Sequence, residues 1–201
     1  MDKVEELILA SLEDFMKLPC IKSGKDERDN KLVFPKKRND KRRVSEQEAR
    51  FLFLLRIERD SDYFYSLETP TEEEYSFSGS GTRSGNIDVC LYENGERKHL
   101  IEFKALNPKL DAFSKDFEKL FRDAPSLNNY FVHVLENTIE GNFRNTVASI
   151  EEKYRVAISN AQAKYPNTQF SRVKIFLCVI GTKEITQYEV DKSGNLKQQT
   201  P

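Results

Sequence analysis

Gly85-Asn86-Ile87-Asp88-Val89-Cys90-Leu91-Tyr92, the turn Glu93-Asn94-Gly95-Glu96, and then His99-Leu100-Ile101-Glu102-Phe103-Lys104 form the stretch whose reading decides the fold. Asn-Gly between two apolar runs is the strongest short-range hairpin signal, because both central residues of a type I′ turn need φ > 0. Side chains alternate across a strand, so Glu102 and Lys104 share one face of the second strand while Ile101 and Phe103 share the other. A turn centred on Asn94-Gly95 sets Asp88 opposite Ile101 and diagonally beside Glu102. One carboxylate from the first strand thus meets a carboxylate and an amine from the second. The run Leu100 to Leu106 is too apolar around its two charges for an exposed edge, and buried unpaired charge is costly, so Glu102 and Lys104 call for partners. On the competing account both are ordinary solvent-facing strand residues and Asp88 merely begins a strand.

Thirteen residues separate Asp88 from Glu102, and Lys104 follows at the ExK spacing. Here the chain resembles the PD-(D/E)xK phosphodiesterase superfamily, over roughly residues 45 to 135. The proline of that family's name is absent, since Ile87 precedes Asp88, and the QxxxY motif of its RecB-like branch is not evident. The resemblance implies an α/β fold with a restriction-endonuclease-like core, a central mixed β-sheet flanked by α-helices. It implies Asp88 and Glu102 as ligands of Mg²⁺, with Mn²⁺ substituting, and Lys104 as the residue that positions or activates the attacking water. It also implies DNA as substrate, with nothing in the sequence separating DNA from RNA, and a dimer for two-strand cutting. The chemistry agrees, because Mg²⁺ is a hard ion held by one or two carboxylates plus water and substrate phosphate.

Ser45-Glu46-Gln47-Glu48 has the capping-box pattern and predicts a helix from Glu46 to about Glu58. Phe51, Leu52 and Leu55 fall three, four and seven residues after Glu48, which aims Glu48 along the buried face. The resemblance gives this position meaning as a further metal ligand from a helix, with Glu48 as first choice and Glu46 as second; serving only as a cap is the alternative for Glu48. Upstream, Lys31, Lys36, Lys37, Arg38, Lys41, Arg42 and Arg43 face Asp40 alone. That basic arm, about residues 22–43, could grip a phosphate backbone without reading sequence, or be a solvated loop. Arg83, in the small-residue approach to Asp88, is a phosphate contact or an exposed loop residue.

The whole chain of 201 residues carries a net charge of −1 and 38% hydrophobic residues, which fits one globular domain spanning 1–201 and leaves any nucleic-acid contact to local charge. No apolar run reaches membrane-spanning length and the start is too acidic for a signal peptide, so a soluble cytoplasmic protein is expected. Cys20, Cys90 and Cys178 are scattered and fit packing rather than a zinc or iron–sulfur site. Helical spacing predicts an N-terminal helix over about 3–18, a helix from Asp111 to about Arg122 with Lys109, Lys115 and Lys119 on its polar side, and a long helix over 142–164. Tyr130–Leu135, Val173–Gly181 and Ile185–Val190 read as strands, with His133 a core histidine. A helix between the Glu102 strand and Tyr130–Leu135 makes that pair parallel. The acidic block 58–74 reads as a solvated loop, Tyr75–Ser78 as a short strand, and Asp191–Pro201 as a frayed end. A catalytically silent module of the same fold, binding nucleic acid or protein, is the runner-up. Phosphate loops, Cys/His pairs and nucleophile elbows are absent.

Overall fold

The Asn94-Gly95 turn forms with φ of 53° and 80°, the left-handed values that a type I′ turn requires. It joins strand β2 (Thr82–Glu93) to strand β3 (Glu96–Ala105) in a computed structural model that describes residues 1–20, 32–37, 42–76, 81–123, 128–136, 146–166 and 171–199. Around this hairpin lie helices α1 (Lys3–Lys17) and α2 (Glu46–Asp60), strand β1 (Phe64–Ser76), helix α3 (Leu110–Arg122), strand β4 (Asn129–Leu135), helix α4 (Val147–Lys164), and strands β5 (Val173–Val179), β6 (Glu184–Val190) and β7 (Leu196–Gln199). The strands form one mixed sheet in the order β1-β2-β3-β4-β5-β6-β7, with β3, β4 and β5 parallel and every other pairing antiparallel. The chain is therefore α/β.

Two crossovers, β3–α3–β4 and β4–α4–β5, step across the sheet in the same direction. Right-handed connections then put both helices on one face. Accordingly α3 and α4 cover one side with Phe113, Phe117, Phe121, Ile150, Tyr154 and Ile158, packed on Leu100, Phe131, Ile175 and Leu177. The other side is covered by α1 and α2, whose Leu7, Ile8, Phe15 and Phe53 meet Ile101, Phe103, Val132 and Phe176. Burying each such side chain contributes about 1.5–3 kcal/mol. Because β3 is covered on both faces, Glu102 and Lys104 lie under α3 while Ile101 and Phe103 lie under α1 and α2.

Four sequence expectations are corrected. The acidic block is not a loop: most of it belongs to β1, paired antiparallel with β2 and irregular between Pro70 and Glu74. Thr69, Thr71 and Tyr75 are buried while Glu72, Glu73 and Glu74 are exposed, so the charge content foretold solvent exposure but not backbone conformation. At the other edge, Leu196–Gln199 pairs with β6 instead of fraying. The hairpin shifts by one residue between Leu91 and Tyr92, so that Val89, not Asp88, faces Ile101. Finally, α2 is rotated from its expected setting. Phe51 and Leu55 are 48% and 49% exposed, whereas Ala49, Leu52, Phe53 and Ile57 are buried. Among the described residues no helix is long and apolar enough to cross a membrane.

Candidate active site

The register shift brings Asp88 level with Glu102 on the neighbouring strand. Past Val89 the backbone pairing between β2 and β3 stops, and Asp88 Oδ2 accepts a hydrogen bond from Phe103 N–H at 2.7 Å. The side chain thereby takes over a donor that the parting strands would leave unsatisfied. Its other oxygen lies 3.5 Å from an Arg50 guanidinium nitrogen, donated by α2. Glu102, 2% exposed, points instead toward α3.

From α3, Lys119 Nζ lies 2.5 Å from Glu102 Oε1 and 3.2 Å from Asp116 Oδ1, and it donates a hydrogen bond to the Asn86 carbonyl at 2.8 Å. Lys104 Nζ is 2.7 Å from Asp116 Oδ2. Asp116 thus bridges two lysines, one on each oxygen. Glu102 Oε1 and Asp116 Oδ2 are both buried, each against an ammonium group, Lys119 Nζ for the first and Lys104 Nζ for the second. Gly85 lies under the Lys119 stem, where a Cβ would come within 3.1 Å of Lys119 Cδ. That close approach gives the glycine its reason.

Position on α2 sorts the two glutamates. Glu46, Arg50 and Phe53 are four and seven residues apart and share the inward face. Lys104, Asp88, Asp116 and Arg50 all act on the ionisation of Glu46, which sets it beside the cluster. Glu48 is half-buried like Glu46, and its carboxylate accepts from the Ser45 hydroxyl. Ser45 gives no side-chain hydrogen bond to the helix backbone, so the capping-box residues pair with each other instead of with the helix N–H groups. The structure therefore brings together Asp88, Glu102 and Lys104, with Glu46 within their electrostatic reach, while Glu48 pairs with Ser45.

Burial dominates the electrostatics. It pushes Asp88 above the ordinary carboxylate range, against the Phe103 N–H, Lys119 and Arg50. Fully enclosed Glu102 is pushed well up by burial despite Lys119, and Glu46 rises by burial against the pull of Lys104. For Lys104, burial alone would lower the pKa, but Asp116, Glu102 and Glu46 outweigh it and leave it raised. Lys119 is raised in the same way by Glu102 and Asp116. At neutral pH both amines are ammonium ions, while burial opposes ionisation of Glu102 and Glu46 beside them.

The basic arm is described in part. Lys36 and Lys37 are exposed, Arg43 is exposed and donates its N–H to Pro35 O, and the Arg42 guanidinium sits 5.1 Å over the Phe34 ring. Arg38 and Lys41, like Lys31, lie outside the described residues. A bridge pairs Lys36 with Arg42, and Arg43 stands three residues before Glu46, so the arm leads directly into the helix that borders the cluster. Arg83 is an exposed residue of β2 beside Tyr75 of β1. Lys119, expected on a polar helix face, is half-buried and pairs with Glu102 and Asp116. Asp116 was missed because an Asp among the charges of α3 carries no signal of its own until the packing places it between two lysines.

No family model, curated protein or solved structure matches this chain. The functional reading therefore stands on the cluster itself. Among the described residues no three His, Cys, Asp or Glu side chains converge as a metal cage. Mg²⁺ does not require one, since two carboxylates with water and phosphate suffice. Asp88 and Glu102 are hard oxygen donors from adjacent strands, and buried Glu102 Oε1 already holds a cation, the Lys119 ammonium. In kind, the donor set fits a divalent cation. A separate groove of about 610 Å³ is lined by Glu5, Lys174, Glu184 and Glu189 among others, and there Lys174 pairs with Glu5.

Proposed function

We propose that this chain is a metal-dependent nuclease with a restriction-endonuclease-like core, hydrolysing phosphodiester bonds in DNA. The observation that carries this reading is the placement of Asp88 and Glu102 level on splayed strands, with Lys104 on the same face as Glu102 and 19% of its side chain open to solvent. Asp88 and Glu102 would hold the ion, and Glu46 is the helix carboxylate placed to complete the set. When bound, Mg²⁺ supplies charge neutralisation at the phosphate and acidifies water. Lys104, held as an ammonium, is a donor that orients an anionic oxygen and not an acceptor of protons, and Asp116 fixes its direction. Exposed Lys36, Lys37 and Arg43 extend the positive surface beside α2 toward a phosphate backbone.

Labelled single-stranded and duplex DNA incubated with the protein in Mg²⁺, Mn²⁺ or chelator tests the proposal. Cleavage in either metal, absent in chelator and lost in Lys104→Ala, is expected. Cleavage that survives in Asp88→Asn, Glu102→Gln and Lys104→Ala alike overturns it. A second reading, a silent module that binds nucleic acid through the basic arm, is favoured by one observation: Lys119 already neutralises Glu102. Salt-sensitive retardation of DNA without cleavage in any metal supports that reading.

A further inference from the structure

We propose that Lys119 is a tethered cation that occupies the divalent-ion position on Glu102 and must leave it before metal binds. This inference rests on the metal-site reading above. The Lys119 ammonium has two carboxylate oxygens, from Glu102 and Asp116, and one backbone carbonyl, from Asn86, at 2.5, 3.2 and 2.8 Å. That all-oxygen set is of the kind a hard cation takes. The slot is shaped to the lysine, because its stem lies against Gly85, where a Cβ would come within 3.1 Å. An ammonium and a divalent ion cannot share Glu102 Oε1: in so enclosed a site their mutual repulsion is strong. Displacement has a route and a destination. Asp116 Oδ1 can keep the ammonium after Glu102 is released, and 11% of the Lys119 side chain is already open to solvent.

The metal-free protein is therefore self-neutralised, and its affinity for a divalent ion is lowered by the exchange. Mn²⁺ titration by calorimetry of the wild type, Lys119→Met and the double variant Lys119→Met/Glu102→Gln tests this. Methionine keeps the stem that packs on Gly85 and removes the charge. The expected result is Mn²⁺ binding about tenfold or more tighter in Lys119→Met, lost again in the double variant. The same variant should melt below the wild type in chelator, where Glu102 has lost its counterion, and regain the difference with Mn²⁺. Equal or weaker binding in Lys119→Met, with the wild type still binding, overturns the proposal and leaves the metal site standing. Absence of binding in both overturns the proposal and the metal site together.

Where Lys119→Met fails to fold, amine acylation of the wild type, read by mass spectrometry, decides the matter. Lys119 should react several-fold faster in saturating Mn²⁺ than in chelator. An unchanged rate while calorimetry shows bound metal overturns the proposal.

Discussion

Lys104 and His133 stand side by side on paired parallel strands, on the face of the sheet that α3 and α4 cover, and they meet burial in opposite ways. His133 belongs to a neutral network. Its Nε2 donates to the Leu106 carbonyl at 2.5 Å, which leaves Nδ1 to accept from the Tyr154 hydroxyl at 2.5 Å. Burial lowers its pKa to about 4, so it stays uncharged at neutral pH. Lys104 belongs to a charged cluster with Asp116, Lys119 and Glu102, in which two buried carboxylates face two ammonium groups. A fully satisfied neutral network is what a fold needs for specificity; a buried charged one is a poor source of stability. The contrast gives His133 a structural role and sets Lys104 in the cluster on which the proposed chemistry rests.

The largest effect should come from breaking the charged side of this contrast. Lys104→Ala should lower DNA cleavage at least about a hundredfold, the scale of losing a positioned electrostatic group, while the chain stays folded with a lowered thermal midpoint, since buried Asp116 keeps Lys119 but loses Lys104. A midpoint that collapses with cleavage would return Lys104 to a structural role. The neutral side should answer in reverse. His133→Phe leaves the Tyr154 hydroxyl buried without its partner and removes the donor to the part-buried Leu106 carbonyl, for a loss of about 2 kcal/mol in urea unfolding, with the rate per folded molecule retained.

How much of this was legible in the sequence follows from what kind of signal each residue carries. Asn94-Gly95 fixes a turn by backbone chirality alone, and the apolar runs of β4 and β5 announce buried parallel strands, so the hairpin and the sheet centre are readable from short windows. Asp88, Glu102 and Lys104 were readable because charge inside an apolar strand is anomalous by itself. The choice between Glu46 and Glu48 was not readable. It turns on the rotation of α2, set by whether Phe51 or Phe53 faces the sheet, and both have helical spacing to other apolar residues. The acids of β1 misled because a charged edge strand and a charged loop have the same composition. Asp116 and Lys119 acquire meaning only from packing across the β3–α3 crossover.

Acid titration sharpens the comparison with a smaller effect. The folded pKa of His133 lies near 4 against an ordinary 6.5, so between those values the unfolded chain binds a proton that the native state refuses. Stability from this residue is complete above pH 6.5 and is lost as pH falls toward 4, by up to about 3 kcal/mol. The site carboxyls have the opposite sign: their raised pKa values favour the protonated native state, so they add stability as pH falls. Urea unfolding at a series of pH values should show a flatter acid limb in His133→Phe than in the wild type. An unchanged limb would mean that His133 does not control acid unfolding.

The smallest effect isolates what one carboxylate costs the fold. Asn at position 88 can present a carbonyl oxygen to the Phe103 N–H that Asp88 now satisfies, so the patch over the parting strands survives. It cannot ionise, and so it avoids the burial that pushes Asp88 above the ordinary carboxylate range. A raised folded pKa gives a contribution that is present below the unfolded value and lost as pH rises through the folded one. Wild type and Asp88→Asn should therefore be equally stable in acid and separate as pH rises, with the Asn variant ahead at neutral pH by at most a few °C. Mn²⁺ binding should be lost in the same variant. A variant less stable than wild type at every pH would show that the charge itself supports the fold, through Arg50 or Lys119. Greater stability with lost metal binding would show instead that the carboxylate is kept at the expense of the fold, as expected of a residue held in place for its chemistry.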